Sequence, residues 1–324
     1  MVIIFSEESD KSTSNVIDWL IKFQVPYIRL NMENVVMVEK ICIGIDNKVS
    51  IILEINDILL EIENINAFWY RRGAISLFTP TNNQSVAFQN LFNQYLNNEK
   101  RIVEDFIFSI IQEKRGIGNF YKRTVNKLNV LHEAIKCGIK IPETYLSNYD
   151  ALAENIIENK TLITKAISES VHLYNSQCGS IMNYTGGIKT EYIVKDNHRA
   201  NYLIQEKIDK LFEIRSFYLE GSFYSMAMFS QENDKTKDDF RNYDFSNPIR
   251  TVPYKLPLEL EIKLRNLMNV LSLNTGSIDI AYNSKKEYIF FEVNPVGQYG
   301  MVSNPCNYNL DKEIAESLKI KNCI

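Results

Sequence analysis

The spacing of apolar residues changes character several times along the chain. Residues 2–6 (VIIFS) are an almost unbroken apolar run and predict a buried first strand. Behind it, Ser9, Ser12 and Thr13 are candidate caps for a helix whose apolar residues recur at Ile17, Leu20, Ile21 and Phe23. Pro26 precedes a strand at 27–30, and strand-like runs follow at 35–43, 49–53, 58–62 and 67–71. From Ser85 to about Lys114 the period becomes helical, through Phe88, Leu91, Phe92, Tyr95, Ile102, Val103, Phe106 and Ile110. This alternation predicts an α/β lobe, with 115–119 (RGIGN) as its exit.

A second pattern opens with a helix over 124–137, closed by Gly138 as the left-handed residue after its end. An extended IKIPETY segment follows, then a helix near 150–158 and a strand over 161–167. Residues 168–187 are polar, irregular and glycine-containing, which predicts a long loop or hairpin of the kind that usually carries function. The last third is strand-rich: 202–206, 211–219 and 223–229, then a charged loop over 230–247 and an amphipathic helix over 258–271. A hairpin of 277–283 with 287–293 and a closing helix over 310–318 complete the chain, and no internal repeat is present. The expected fold class is α/β (α+β), divided into 1–118, 119–200 and 201–324.

Composition narrows the function. The chain has 324 residues, 45% hydrophobic and 23% charged, which suits two or three packed lobes and excludes disorder as the main theme. Basic minus acidic residues give 36 − 40 = −4, against a nucleic-acid binder working by bulk positive charge. No run approaches the ~18 consecutive apolar residues of a membrane span, and the acids in MVIIFSEESD stand where a signal peptide carries positive charge. The five cysteines make no CxxC pair and the three histidines show no metal spacing, so neither a disulfide scaffold nor a zinc site is expected. A reducing cytoplasm is the simplest location.

The most informative segment is SIDIAYNSKKEYIFFEVNP. With a tip at 284–287, Asn283 faces Tyr288 and Asp279 faces Glu292. Asn294 shares the face of Glu292, while Ile278, Ile280, Phe291 and Val293 fill the other side. Three oxygen donors and no soft ligand suit Mg²⁺, which prefers to share its shell with phosphates and so implies a nucleotide. The alternative is a hairpin whose acids merely sit at the solvent edge, since D…ExN is short and common.

At this point the residues resemble the ATP-grasp superfamily. GSIDIAY…FFEVNP is similar to its magnesium hairpin, and five further blocks follow the family's order over roughly residues 120 to 320. NKLNVLHEAIKCGIKIPETY resembles the entry helix with Lys127, and LITKA the strand bearing the phosphate-binding Lys165. YLIQEKI resembles the adenine-holding linker, EIRSFYL the next strand with Glu213 and Arg215, and DFRN the basic segment with Arg241 and Asn242. The resemblance implies an ATP-grasp fold behind an N-terminal pre-ATP-grasp lobe. It implies Asp279, Glu292 and Asn294 as Mg²⁺ ligands, and Lys127, Lys165, Gln205, Glu206, Lys207, Ile208 and Glu213 as ATP-binding residues. Arg215, Arg241 and Asn242 are then the catalytic groups beside an acyl phosphate.

The residues themselves read compatibly. Lys165 interrupts the apolar run 162–167, so its ammonium either meets an anion such as phosphate or extends along the strand end to water. A lysine in a helix's first turn, as Lys127 is, is often only solvated. Residues 202–208 offer backbone N–H and C=O groups to a base, while Glu206 and Lys207 face either the base or water. Glu213 suits ribose hydroxyls or an ion pair with Arg215. One departure stands out: the interval after Lys165 holds only Gly179, Gly186 and Gly187, so no phosphate-lid residue is assigned.

INAFWYRRG and EVNPVGQYGMVSNPCNYNLDKEIA resemble the peptide maturases of graspetide clusters, the microviridin-type macrocyclases of the "grasp-with-spasm" branch. The resemblance implies a ribosomal precursor peptide with leader and core as partner. Core Asp or Glu side chains would be phosphorylated, then captured by Thr/Ser hydroxyls or Lys amines as macrolactones or macrolactams. It further implies a homodimer. Arg71 and Arg72, adjacent on a strand, are expected on opposite faces with one at most toward a cleft, and 171–193 is the candidate leader-docking segment. Two alternatives stay open: an amino-acid or glutamate ligase acting on a protein tail, and a non-catalytic nucleotide-binding module.

Overall fold

The computed structural model describes residues 1–45, 48–80, 86–147, 161–168, 172–175, 179–182, 186–187, 202–231, 246 and 248–323. The expected helix near 150–158 and the DFRN segment with Arg241 and Asn242 lie outside them. The chain divides into two compact units, one formed by 1–123 with 309–324 and the other by 124–308.

The first unit contains β1 (Val2–Ser6), α1 (Lys11–Lys22), β2 (Tyr27–Asn31), β3 (Val35–Ile43), β4 (Val49–Ile55), β5 (Ile58–Glu61), β6 (Ala67–Tyr70), β7 (Ser76–Leu77), α2 (Val86–Gln112) and β8 (Arg115–Ile117). Its first sheet is parallel, in the order β2-β1-β6-β8, and β1 is buried along its whole length as its apolar run requires. The cap of α1 is Asp10, whose side chain accepts from the Thr13 N–H, rather than Ser9, Ser12 or Thr13. Residues 115–117 are a fourth parallel strand instead of an exit. Gly116 permits it: a Cβ there would lie 2.2 Å from the Phe68 ring. The second sheet, β5-β4-β3-β7, is a meander joined by one parallel pairing of β3 with β7.

The second unit contains α3 (Lys127–Lys136), β9 (Thr144–Ser147), β10 (Leu162–Lys165), β11 (His172–Asn175), β12 (Gly179–Met182), β13 (Gly186–Gly187), β14 (Tyr202–Glu206), β15 (Lys210–Leu219), β16 (Ser222–Phe229), β17 (Arg250–Tyr254), α4 (Leu258–Val270), β18 (Thr275–Asn283), β19 (Tyr288–Asn294) and α5 (Gly300–Cys306). Three antiparallel sheets result: β13-β10-β14-β9, the hairpin β11-β12, and β17-β16-β15-β18-β19. On one face of the five-stranded sheet, Ile214, Ile278, Ile280, Phe290 and Val293 pack with Leu131 and Ala134 of α3 and Leu264, Leu267 and Met268 of α4. On the other, Met226 and Met228 meet Val302 and Cys306 of α5. Beside that apolar patch the same face carries Glu213, Arg215, Asp279 and Glu292.

The last helix, α6 (Leu310–Cys323), packs against α1, β6 and β8 and so belongs to the first unit, not to the C-terminal subdomain expected for 201–324. Its apolar stripe, Leu310, Ile314, Ala315 and Leu318, is fully buried there. Strand β17 and helix α5 had no sequence signal. Pro253 interrupts one, tolerated because β17 is an edge strand, and Gly300 and Pro305 disguise the other.

Candidate active site

The site is built on the β18–β19 hairpin. Its tip is 284–287, as expected; the Asn283 N–H donates to the Glu287 carbonyl at 3.0 Å, and Lys286 closes the turn at φ +62°. The expected facing of Asn283 with Tyr288 is not found: Tyr282 faces Tyr288, one step out of register. A bulge restores it. Ile280 pairs with Phe290, the next pair is Asp279 with Glu292, and Phe291 is the unpaired extra residue. The two acids therefore face each other as expected, by two errors of register that cancel. Phe291 does not join the apolar face: Phe290 enters the core in its stead and Phe291 is left half-buried.

Each acid meets a cation of the chain. Arg215 lies directly across from Asp279 on β15, and its Nη1 donates to both carboxylate oxygens at 3.0 and 2.9 Å. Lys127, the first residue of α3 behind the Asn126 cap, brings Nζ to 3.8 Å from Glu292 Oε2. The same ammonium donates to the carbonyls of Ala166 at 3.2 Å and Ser168 at 2.9 Å, just beyond β10. Lys165 ends β10, and its Nζ lies 4.8 Å from the centroid of the Phe291 ring. Asn294 faces Ser277 across the strands, is exposed, and accepts the Val296 N–H at 3.1 Å through Oδ1.

Among the described residues, no group of three His, Cys, Asp or Glu side chains is placed to hold a metal ion. The candidate set is two facing carboxylates and an amide. Such a set fits Mg²⁺: all donors are hard oxygens, and so few of them leave coordination positions for water and phosphate. Arg215 and Lys127 already balance the carboxylate charge, so a dication would exchange with cations rather than fill an uncompensated anionic hole.

The expected base-reading strand is partly committed elsewhere. The N–H of Glu206 donates to the Glu143 carbonyl at 2.9 Å and that of Lys207 to the Thr161 carbonyl at 2.8 Å. Gln205 is 2% exposed; its Nε2 donates to Thr144 Oγ1 at 3.0 Å, while its Oε1 has no hydrogen-bond partner among the described residues. Ile208 is half-buried. Glu213 pairs with Lys210 at 2.8 Å and accepts from Ser230 Oγ at 3.1 Å, so its ion-pair partner is not Arg215. A bulge between Lys210 and Phe212 brings Lys210 onto the face of Glu213.

In the first unit, Arg71 and Arg72 do not diverge. Strand β6 ends at Tyr70, both backbone N–H groups donate to the Phe5 carbonyl, and both guanidinium groups reach Asp10 Oδ2, at 3.3 and 2.8 Å. Burial pushes the Asp10 carboxyl up. Hydrogen bonds from Ser12 and the Thr13 N–H, with the charges of Arg71 and Arg72, outweigh it and hold the group below the usual carboxylate range.

No family model matches the chain, and no curated protein sequence is significantly similar to it. Solved structures do match. The chain is similar to a RiPP-associated ATP-grasp ligase of Chryseobacterium gregarium, solved with ADP and a leader and core peptide: 22% identity, TM-score 0.83, covering 99% of this chain and 96% of that one. It is similar to the macrocyclase MdnC of Microcystis aeruginosa MRC, bound to its precursor peptide MdnA: 24% identity, TM-score 0.78, covering 99% of each chain. The ATP-grasp ligase PsnB, with a minimal precursor, Mg and ADP, matches at 12% identity and TM-score 0.73, over 99% of this chain and 97% of that one. A shared backbone path over nearly the whole length, at identities this low, is a statement about architecture. The chain has the ATP-grasp fold.

Proposed function

We propose that this chain is an ATP- and Mg²⁺-dependent, ADP-forming ligase of peptide maturation. It phosphorylates Asp or Glu side chains in the core of a ribosomal precursor peptide and closes macrolactone or macrolactam rings with Thr/Ser hydroxyls or Lys amines. One observation carries the reading: Asp279 faces Glu292 across a hairpin that Lys127, Lys165 and Arg215 each reach from a different element. That is a cluster of cations around two facing acids, on a fold whose solved relatives hold ADP and precursor peptides.

In this reading Asp279, Glu292 and Asn294 hold Mg²⁺, which when bound neutralises phosphate charge. Lys127 and Lys165 receive the phosphates, and Gln205, Glu206, Lys207, Ile208 and Glu213 line the adenosine. A core carboxylate attacks the γ-phosphorus and ADP departs, leaving an acyl phosphate. A core hydroxyl or amine then attacks the acyl carbon, its proton is lost and inorganic phosphate leaves. Arg215, Arg241 and Asn242 stabilise the negative charge that develops on the acyl oxygen and phosphate. The leader is assigned to 171–193, where β11 and β12 form a hairpin able to accept an added strand. The lobe 1–118, joined by helix α6, and subdomains 119–200 and 201–308 are the corresponding functional division. The enzyme acts as a homodimer in the cytoplasm, where ribosomal peptides and ATP meet; no helix among the described residues is long and apolar enough to cross a membrane.

The test is incubation with ATP, Mg²⁺ and a leader-bearing peptide whose core is rich in Thr and Glu. Release of ADP with loss of one water's mass per ring supports the reading. A mass gain of one residue would replace it with an amino-acid ligase, and failure to turn over ATP with any acidic peptide would leave a nucleotide-binding module.

A further inference from the structure

We infer that Phe291 is a positioning residue for Lys165: the face of its ring holds the lysine ammonium where the nucleotide phosphates are to be received. The inference rests on the assignment of Lys165 to phosphate given above and goes one residue beyond it.

Three observations meet at this aromatic side chain. The first is its placement. Strict alternation along β19 would send Phe291 into the core with Val293, yet Phe290 and Val293, three residues apart, are the two that pack there. Such spacing requires an extra residue, and the pairing shows it: Ile280 with Phe290, then Asp279 with Glu292. The bulge thus keeps a large apolar ring half-buried beside the acids rather than within the core. Bulges of this kind commonly redirect a side chain at a site.

The second is the contact. Lys165 belongs to the four-stranded sheet and Phe291 to the five-stranded one, and the ammonium lies 4.8 Å from the ring centroid. That is within the range where the ring's quadrupole attracts a cation. An aliphatic side chain would fill the same volume without that attraction.

The third is a parallel tie between the same two segments. Lys127 donates to the carbonyls of Ala166 and Ser168, directly after Lys165, while standing 3.8 Å from Glu292, directly after Phe291. One tie fixes the backbone past Lys165; the other fixes the direction of its side chain. The aromatic ring adds no charge, so it orients the ammonium without competing for it as a carboxylate would.

Selective labelling of lysine at Cε, with the Lys165 signal identified by its loss in Lys165→Arg, tests the contact in the full chain. The Hε resonance is expected upfield in the wild type through the ring current, to move toward the ordinary lysine position in Phe291→Leu, and to stay upfield in Phe291→Tyr. ADP affinity, measured by calorimetry with Mg²⁺, should fall roughly two- to fivefold in Phe291→Leu and be retained in Phe291→Tyr. A Lys165 signal that is the same in wild type and Phe291→Leu, or equal ADP affinity of the Leu and Phe proteins, overturns the inference and reduces Phe291 to an apolar surface. If the wild type binds no ADP, the phosphate role of Lys165 fails, and the resonance alone decides whether the ring holds the ammonium. Unfolding of Phe291→Leu would be told from lost positioning by Phe291→Tyr, which keeps the ring.

Discussion

Asp279 and Glu292 face each other on adjacent strands but occupy different electrostatic settings. Arg215, the partner of Asp279, is 9% exposed, and its Nε has no hydrogen-bond acceptor among the described residues. Removing the Asp279 charge strands a buried guanidinium. Glu292 has 31% of its side chain exposed, and its cation is 3.8 Å away. Asp279→Asn is therefore expected to cost about 2–3 kcal/mol of stability, and Glu292→Gln less than about 1 kcal/mol, while both abolish turnover. Denaturant unfolding beside the peptide assay checks this; equal stability losses, or wild-type turnover in either variant, would refute it. Both acids were legible in the sequence because a carboxylate within an apolar strand needs a reason. Their partners were not, because Arg215 and Asp279 are 64 residues apart in sequence and only strand pairing brings them together.

Elements were legible wherever one period ran for several turns or several alternations. Helices α1, α2, α3 and α4 and the longer strands lie close to where their apolar spacing predicted. The short β8, the proline-bearing β17 and α5, and the two bulges in the five-stranded sheet gave no such signal. A bulge is one residue of mismatch between two ladders, and alternation within one strand cannot reveal it. Its consequences are large: one bulge brings Lys210 to Glu213, the other puts Phe291 beside Lys165. Deleting Phe291 should make the hairpin regular, because Ile280–Phe290 and Asp279–Glu292 would become consecutive pairs without moving either. The deletion is expected to fold, at a cost of about 1–2 kcal/mol for the lost ring, with slow amide exchange retained at Ala281 and Ile289. Loss of that protection would mean that the strand slides and drives Glu292 into the core.

At the scale of the molecule, the chain returns after the second unit to finish the first. Helix α6 brings Leu310, Ile314 and Leu318 to 0–1% exposure in the 1–123 unit. Their burial amounts to about 5–9 kcal/mol, comparable with the whole net stability of a domain. Truncation after Tyr308 should therefore unfold the first unit while 124–308 keeps a cooperative melt. Limited proteolysis would show cleavage concentrated before residue 124; a first unit that stays resistant would contradict this division. The amphipathic stripe of α6 showed that it buries one face somewhere, without saying against what.

The sequence by itself determined the local grammar: where most strands and helices lie, that two acids share a hairpin face, and that a lysine interrupts an apolar run. These follow from side-chain period and from the cost of leaving charge in an apolar run. Only the tertiary structure decided which cation meets which acid, that Arg71 and Arg72 converge on Asp10, that Phe291 faces the site, and that the last helix completes the first unit. Those depend on contacts between residues distant in the chain and on single-residue register shifts, to which local periodicity is blind.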